Sequence, residues 1–501
     1  MKNLTDFLLK IHLMKLKNIF ILSSFLISIL ASCSKDEDII DNTASENKAT
    51  NSTENDELEV ESFIYNGLNE LYLYKADVPE LADTHFSSSN NRNEFLANAT
   101  SPEMLFDNLT ANFDRFSFIT DDYNSLEERF EGMSGATGIK FGVGQISGTG
   151  NVFGLIRYVL PNTSASEAGL KRGNIFTEIN GQKLTSANFS SLIDKENFTI
   201  NVGYIENNQI VLTDETVNLS DDAYTENPVY IAKTFEISGK KIGYIMYNSF
   251  TANFDDELND AFAEFKANGV TNLVLDLRYN GGGSVESAKD LASMITGQFN
   301  DKVFIKERWN DKYQNFYETQ NPEALINRFD NKLRNGNLIN SLNLSEVYVL
   351  TSASSASASE LIINGLDPYI NVVQVGDRTV GKFQASVTLY DSDDFAKDDA
   401  STNHTYAMQP LVFKSINSAG KSDYVDGLQP DIVYTENLND FGILGDENEP
   451  LLETAINSIL GRSQIGKSAI KRLDFQQLGE SDMNNIEYQR MYINELPKLD
   501  K

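Results

Sequence analysis

The sequence predicts an α/β protein, with a layered strand–helix core preceded by a helical segment and then a β-rich one. Three observations carry this. From Ile231 onward, apolar runs of strand length alternate with segments of helical period. Between Gly138 and about Ser220, short strand patterns are punctuated by glycines. Residues 347–382 open with a buried-strand run (347–350), continue through small residues (351–359) into an apolar helical segment (361–366), and reach a second strand (372–375) before Gly381-Lys382. A strand, a small-residue turn and a helix start is where α/β enzymes place a nucleophile. The helix N-terminus there supplies unpaired N–H groups and a positive dipole end.

Composition narrows the chemistry. A net charge of −32 on 501 residues argues against nucleic acid, because no basic face meets the phosphates. The single cysteine, Cys33, excludes an intrachain disulfide and a cysteine cluster for zinc. Only three histidines occur, His12, His85 and His404, none close in sequence, so a Ser-His-Asp triad has only the last two to draw on. No metal or organic cofactor is implied.

Residues 1–33 read as a targeting segment, with Lys15 and Lys17 before a 19–31 apolar run too short to span a bilayer. Met14 offers a second start. Leu30-Ala31-Ser32-Cys33 resembles a bacterial lipobox, which implies lipidation of Cys33 and a membrane anchor. Residues 34–58 are polar and acidic, a disordered tether. The SKDED that opens them resembles the surface-export signal of Bacteroidetes lipoproteins. The expected location is the outer membrane, facing the periplasm or the outside.

Residues 59–135 read as a small helical domain, with apolar stripes at Phe63, Leu68, Leu71 and Leu73, and at Met104, Leu105, Leu109 and Phe113. In residues 136–220, Ala168-Gly169-Leu170, Gly173-Asn174 and Ile179-Asn180-Gly181 form a run that resembles a PDZ domain. The resemblance implies binding of an extended C-terminal peptide by strand addition, with a carboxylate loop at Phe141, Gly142, Val143 and Gly144 and a flanking helix over 186–193. Residues 221–462 are the α/β core. They include an amphipathic helix over 254–267, the stretch Asp276-Leu277-Arg278-Tyr279-Asn280-Gly281-Gly282-Gly283, a polar helical insert over about 310–340, strands over 385–389 and 406–416, and a closing helix over 449–460. Residues 463–501 are charged and read as a peripheral tail.

With histidine scarce, a lysine whose pKa burial depresses can serve as base. Lys382, between Gly381 and Phe383, is placed for this. On the residues alone Ser352, Ser354, Ser355, Ser357 and Ser359 remain open as the nucleophile. Together the PDZ-like run, residues 273–283, the Ser-Ala-Ser-Glu of 357–360 and Gly381-Lys382 resemble the C-terminal processing (tail-specific) serine proteases over about residues 60–460. The resemblance implies a crotonase/ClpP-like α/β protease core with an inserted PDZ-like domain. It also implies Ser357 as nucleophile, Lys382 as base 25 residues later, and an oxyanion hole from the N–H groups of Gly282 and Ala358. Asp367 is the candidate for the acidic residue that many members carry near this point, Pro368 standing at that position here. Phe383 stands where the family's glycine usually does, and Gln384 lies closer to the lysine than the family's glutamine. Asp276 and Arg278 read as structural, and Tyr247 and Phe250 as core or cleft lining. The expected function is a Ser-Lys endopeptidase acting on unfolded or C-terminally exposed polypeptide. The alternatives are a PDZ-type peptide-binding lipoprotein that no longer cuts, and an acyl transferase or esterase using the same dyad.

Overall fold

The computed structural model describes residues 58–462 and 473–497. Residues 1–57, with Cys33 and the acidic stretch, lie outside the described residues, so the targeting-segment, lipobox and tether expectations do too. Among the described residues no helix is long and apolar enough to cross a membrane.

Helix α1 (Glu59–Leu71) buries Phe63, Ile64, Leu68 and Leu71 along one face. Helices α2 (Ser89–Ala97) and α3 (Pro102–Asn108) begin at Ser88 and Ser101, whose hydroxyls accept the amide protons of Asn91 and Met104. The second expected stripe is cut short. Leu105 and Leu109 are buried, while Met104, within α3, and Phe113, past its end at Asn108, are exposed. Strand β1 (Phe118–Thr120) and helix α4 (Tyr123–Phe130) complete this segment. It does not close a core of its own. Leu68, Leu105 and Leu109 share one buried cluster with Ile245, Phe262 and Leu275 of the α/β core, and β1 pairs antiparallel with Ala407–Gln409.

The β-rich unit is entered and left through a ribbon pairing Met133–Ala136 with Asp222–Thr225. Its main strands are β2 (Ile139–Ile146), β3 (Val152–Val159), β4 (Phe198–Glu206) and β5 (Gln209–Leu219). Phe141, Val143, Ile156, Phe176 and Ile200 form a separate buried cluster. The expected flanking helix is short, Phe189–Ile193.

The core strands follow: β6 (Val229–Ile237), β7 (Lys240–Tyr247), β8 (Asn272–Asp276), β9 (Glu346–Thr351), β10 (Asn371–Gly376), β11 (Gln384–Val387) and β12 (Ile432–Val433). The helices are α5 (Asp255–Ala267), α6 (Val285–Thr296), α7 (Ala358–Leu366) and α8 (Pro450–Ile459). One six-stranded sheet runs β6-β7-β8-β9-β10-β12, antiparallel at β6–β7 and parallel elsewhere. Period-2 alternation sorts its two faces. Ile242, Tyr244, Val274 and Leu350 pack with Leu452 and Ile456 of α8, while Ile245, Leu273, Leu275 and Val349 pack with α5, α6 and α7. Parallel strands read as continuous apolar runs because both faces are covered. Two expected elements are interrupted by proline. The 406–416 strand splits at Pro410 into Ala407–Gln409 and Leu411–Asn417, and the polar insert is α-helical only over Asp311–Gln320, with a single 3-10 turn restarting at Pro322 (Pro322–Leu325).

Beyond β8 the chain is clamped by a buried ion network. Arg278 Nε lies 3.0 Å from both Asp276 oxygens, its two terminal nitrogens lie 2.9 Å from the Glu449 oxygens, and Nη1 is also 3.0 Å from Glu436. Glu449 caps α8, so the network fastens the sheet to that helix. Burial would raise the Glu436 carboxyl, but Arg172 and Arg278 overcome it and hold it at about 2. Arg278→Met leaves buried carboxylates without their cation and is expected to lower unfolding stability by about 3–5 kcal/mol in urea titrations. Glu436 has a depressed native pKa, so its contribution is present above the unfolded value of about 4.3 and is lost as pH falls from there toward 2. Acid titration of Glu436→Gln beside the parent protein should show a shallower loss in that window.

The tail departs from expectation. Strand β13 (Phe475–Glu480) adds antiparallel to β2. Strand β14 (Met491–Ile493) lies in a second six-stranded sheet between Gly283–Ser284 and β11. Met491 is fully buried, and Glu480 and Tyr492 nearly so. The reading of residues 463–501 as peripheral is therefore corrected for 473–497. Their strands are only six and three residues long, and Phe475–Glu480 carries just two apolar side chains, Phe475 and Leu478, too little to give a periodic signal.

Candidate active site

Ser357 is the N-cap of α7, at φ 60 and ψ −114, a left-handed backbone that a non-glycine residue adopts only when its surroundings hold it there. Glu360, one turn into the helix, does the holding. Its Oε2 accepts the amide protons of Ser357 (2.9 Å) and Lys382 (2.8 Å), and its Oε1 accepts from Gly381 N (2.7 Å) and Thr379 Oγ1 (2.5 Å). One carboxylate thus fixes the backbone of both residues of the expected dyad.

The structure separates the serines that the sequence left equivalent. Ser352, Ser355 and Ser359 donate to the carbonyls of Arg278, Leu277 and Asn280, tying the turn to the glycine loop. Ser354 donates to Glu480 at 2.6 Å. Ser357 alone stands at the helix N-terminus beside Gly282. A Cβ built on Gly282 would sit 2.5 Å from Ser357 Cβ and 3.1 Å from Ala358 N. This approach, with φ 113, requires glycine at 282.

Lys382 is fully buried and its Nζ, which has no hydrogen-bond partner among the described residues, lies 4.9 Å from the Phe116 ring centroid. Burial pushes its ammonium well below the usual lysine range. The Arg490 charge adds to this, and Asp114 and Glu360 oppose it. That direction favours the neutral amine, the form that can accept a proton. Asp114 in turn is fixed by Tyr72 OH (2.8 Å) and by the amides of Phe116 and Ser117 (2.8 and 3.0 Å), so the N-terminal segment builds one wall of the lysine pocket.

The remaining expected residues fall less simply. Ala358 opens α7, where an N–H has no partner within the helix. The Gly282 N–H donates to Asn280 Oδ1 at 2.8 Å, and it is Gly283 N–H that donates to the tail, to the Arg490 carbonyl at 2.7 Å. Gly282 as an open oxyanion donor is thus corrected for this conformation. Asp367 is also corrected: it lies at the far end of α7 from Ser357, half exposed, with Lys421 at 3.4 Å. Phe141, Gly142, Val143 and Gly144 form no loop. They lie within β2, paired with β3 on one side and β13 on the other. Phe141 and Val143 point into the core, while a Cβ on Gly144 would meet Phe475 at 2.7 Å. Gln384 Nε2 donates to Tyr74 OH at 2.7 Å. Tyr247 and Phe250 are core. Glu360, Asn280 and Asp114 were not singled out from sequence. The signals for Glu360 were its place as the last residue of the Ser-Ala-Ser-Glu motif and its position three residues from the helix cap.

Among the described residues, two groups of three acidic or histidine side chains lie close enough to hold a cation, but each is already engaged. Lys289 Nζ lies 2.7 Å from both Glu286 and Asp330 beside Asp290. In the other group, His404 pairs with Asp391 and Glu59 binds Ser401 and Asn403.

A cleft of about 210 Å³ runs between the β-rich unit, the glycine loop and the tail, lined among others by Lys140, Arg157, Tyr279, Gly282, Glu480 and Arg490. Ser357 and Lys382 do not line it; both are fully buried beyond the tail.

Residues 241–434 match the family described as Peptidase family S41, and residues 59–118 match the Peptidase S41 N-terminal domain. A CtpA-like serine protease of Staphylococcus aureus is 24% identical over 262 residues, covering 52% of this chain and 48% of the relative. A carboxyl-terminal-processing protease of Picosynechococcus is 29% identical over 170 residues, 34% of this chain and 36% of the relative. The chain thus spans about half, or less, of the length of these curated relatives. A crystal structure assigned to the S41 proteases, from Bacteroides fragilis, superposes with a TM-score of 0.62 at 27% identity, covering 79% of this chain and 97% of that one.

Proposed function

The chain belongs to the peptidase S41 family, and on that premise we propose that it is a serine endopeptidase in which Ser357 is the nucleophile and Lys382 the base. The observation that carries the reading is the fully buried Lys382 Nζ, without a hydrogen-bond partner among the described residues, on a residue whose backbone amide donates to the same Glu360 oxygen as that of Ser357. Neutral Lys382 takes the hydroxyl proton as Ser357 Oγ attacks the scissile carbonyl. Negative charge gathers on the carbonyl oxygen at the N-terminus of α7, where the Ala358 N–H and the helix dipole favour it and the glycine loop faces it. The lysinium returns the proton to the leaving amine, and a water deprotonated by Lys382 then clears the acyl-enzyme. The substrates are unfolded or C-terminally exposed polypeptides, and the β-rich unit acts as a PDZ-like recruiting domain. A lipid on Cys33 holds the enzyme at the outer membrane.

The test is casein degradation by residues 34–501 beside Ser357→Ala. Loss of about three orders of magnitude or more in the variant, with unchanged thermal unfolding, supports the reading. Equal cutting by both chains sinks the assignment of Ser357. Peptide against ester turnover decides against an esterase.

A further inference from the structure

Residues 473–497 run from the edge of the β-rich unit to the nucleophile. Along β13, Phe475 pairs with Ile146 and Glu480 with Gly142, and Ser481 N donates to Phe141 O at 2.9 Å. The strand is anchored by charge. Glu480 pairs with Arg157 and accepts from Ser354, and Asp482 lies 3.2 Å from Lys140. Burial alone would raise the Glu480 carboxyl, but Arg157 outweighs it and holds it below its ordinary value, so this anchor is an ion pair. The chain then reaches Ser357. The Ser357 hydroxyl donates to the Gln489 carbonyl at 2.9 Å, and Gly283 N–H donates to the next carbonyl, Arg490, at 2.7 Å. From there β14 continues between Gly283–Ser284 and β11, with Tyr492 stacked on Phe130 at 4.2 Å.

We infer that this C-terminal segment is an intramolecular ligand of both the β2 edge and the catalytic cleft, and that it keeps the enzyme latent until an incoming polypeptide displaces it. The inference rests on the Ser-Lys reading and names the regulation of that site. Three features mark the segment as an inhibitor. The proton that Lys382 must receive is instead donated to Gln489. Gln489 adopts φ 53, so the backbone is kinked where a substrate strand would run extended, and its carbonyl faces the hydroxyl. Ser357 and Lys382 are both sealed from solvent with the segment in place. A competing chain gains the same strand edge and cleft only by removing it, so the apparent activity is reduced by the fraction of molecules with the segment docked.

The test uses residues 34–501, which contain no cysteine. Val387 and Ile493 are registered partners across β11 and β14, at a strand spacing that a disulfide can bridge. In Val387→Cys/Ile493→Cys, the oxidised form is expected to lose turnover of a short fluorogenic peptide, and fluorophosphonate labelling of Ser357, by about tenfold or more, with reductant restoring both. Glu480→Gln loosens the anchor without touching the dyad and is expected to raise both rates several-fold. A synthetic peptide of residues 473–497 should lower them again. Equal rates in oxidised and reduced enzyme, both above a Ser357→Ala control, or no rise in Glu480→Gln, overturn latency and leave the protease reading standing. Rates indistinguishable from Ser357→Ala in every form overturn both.

Discussion

Replacing Lys382 with methionine is expected to abolish peptide hydrolysis while stabilising the folded protein at neutral pH. The first effect follows from removing the only proton acceptor proposed for Ser357, which in serine peptidases lowers kcat by about 10³–10⁴-fold or more. The second follows from burial. Lys382 is fully enclosed, with no hydrogen bond to its Nζ among the described residues, and burial pushes its native pKa well below the lysine range, so the native state favours the neutral amine, whereas the unfolded chain holds it protonated up to about pH 10.4. Unfolding therefore takes up a proton. Wild-type stability rises with pH between the depressed native pKa and about 10.4, at a limiting slope of about 1.4 kcal/mol per pH unit from this group. Methionine fills similar volume and removes that slope. Urea titrations at pH 7, 8 and 9 should show the variant ahead by most at pH 7 and the two converging as pH rises. Parallel curves would mean that Lys382 is charged in the native protein and cannot be the base. The wild-type pH–rate profile should agree, rising on a limb below the ordinary lysine range as the base loses its proton.

The parts of this arrangement that sequence reveals are those with a local signal. The parallel strands show as apolar runs because both faces of the sheet are buried, and α5 shows through Leu258, Ala261, Phe262 and Phe265, all buried. Ser357 and Lys382 are legible only as members of an ordered set of motifs. The tetrapeptide Ser-Ala-Ser-Glu occurs twice, and its first copy, Ser164–Glu167, merely opens a short helix capped by Thr163 in the β-rich unit. What the sequence hides is long-range pairing. Nothing in Phe475-Gln476-Gln477 announces that it will lie on β2, more than 300 residues earlier, because strand addition is made by backbone groups that every residue carries. Asp367 misleads for the opposite reason. Closeness in sequence to the nucleophile placed it at the other end of a nine-residue helix.

Glu360→Gln should cost both stability and rate, and the two losses separate its roles. The carboxylate accepts four donors, two on each oxygen, and burial nonetheless pushes its pKa upward. An amide can present an oxygen to only one pair. Whichever way it turns, its NH₂ faces two buried donors, either Ser357 N and Lys382 N or Gly381 N and Thr379 Oγ1. Leaving two such groups unsatisfied is expected to lower unfolding stability by about 2–5 kcal/mol. Where the NH₂ turns toward Ser357 N and Lys382 N, the strained φ of Ser357 is no longer held from its own amide, and a relaxed N-cap moves Oγ relative to the lysine. A displacement near 1 Å is expected to reduce kcat by about 10²-fold with little change in KM, because Glu360 touches neither substrate nor the reacting proton. Fluorophosphonate labelling of Ser357 should slow in proportion to kcat. If stability falls while kcat and labelling hold, Glu360 supports only the helix start, and the geometry of the dyad is set by Asn280 and the glycine loop instead.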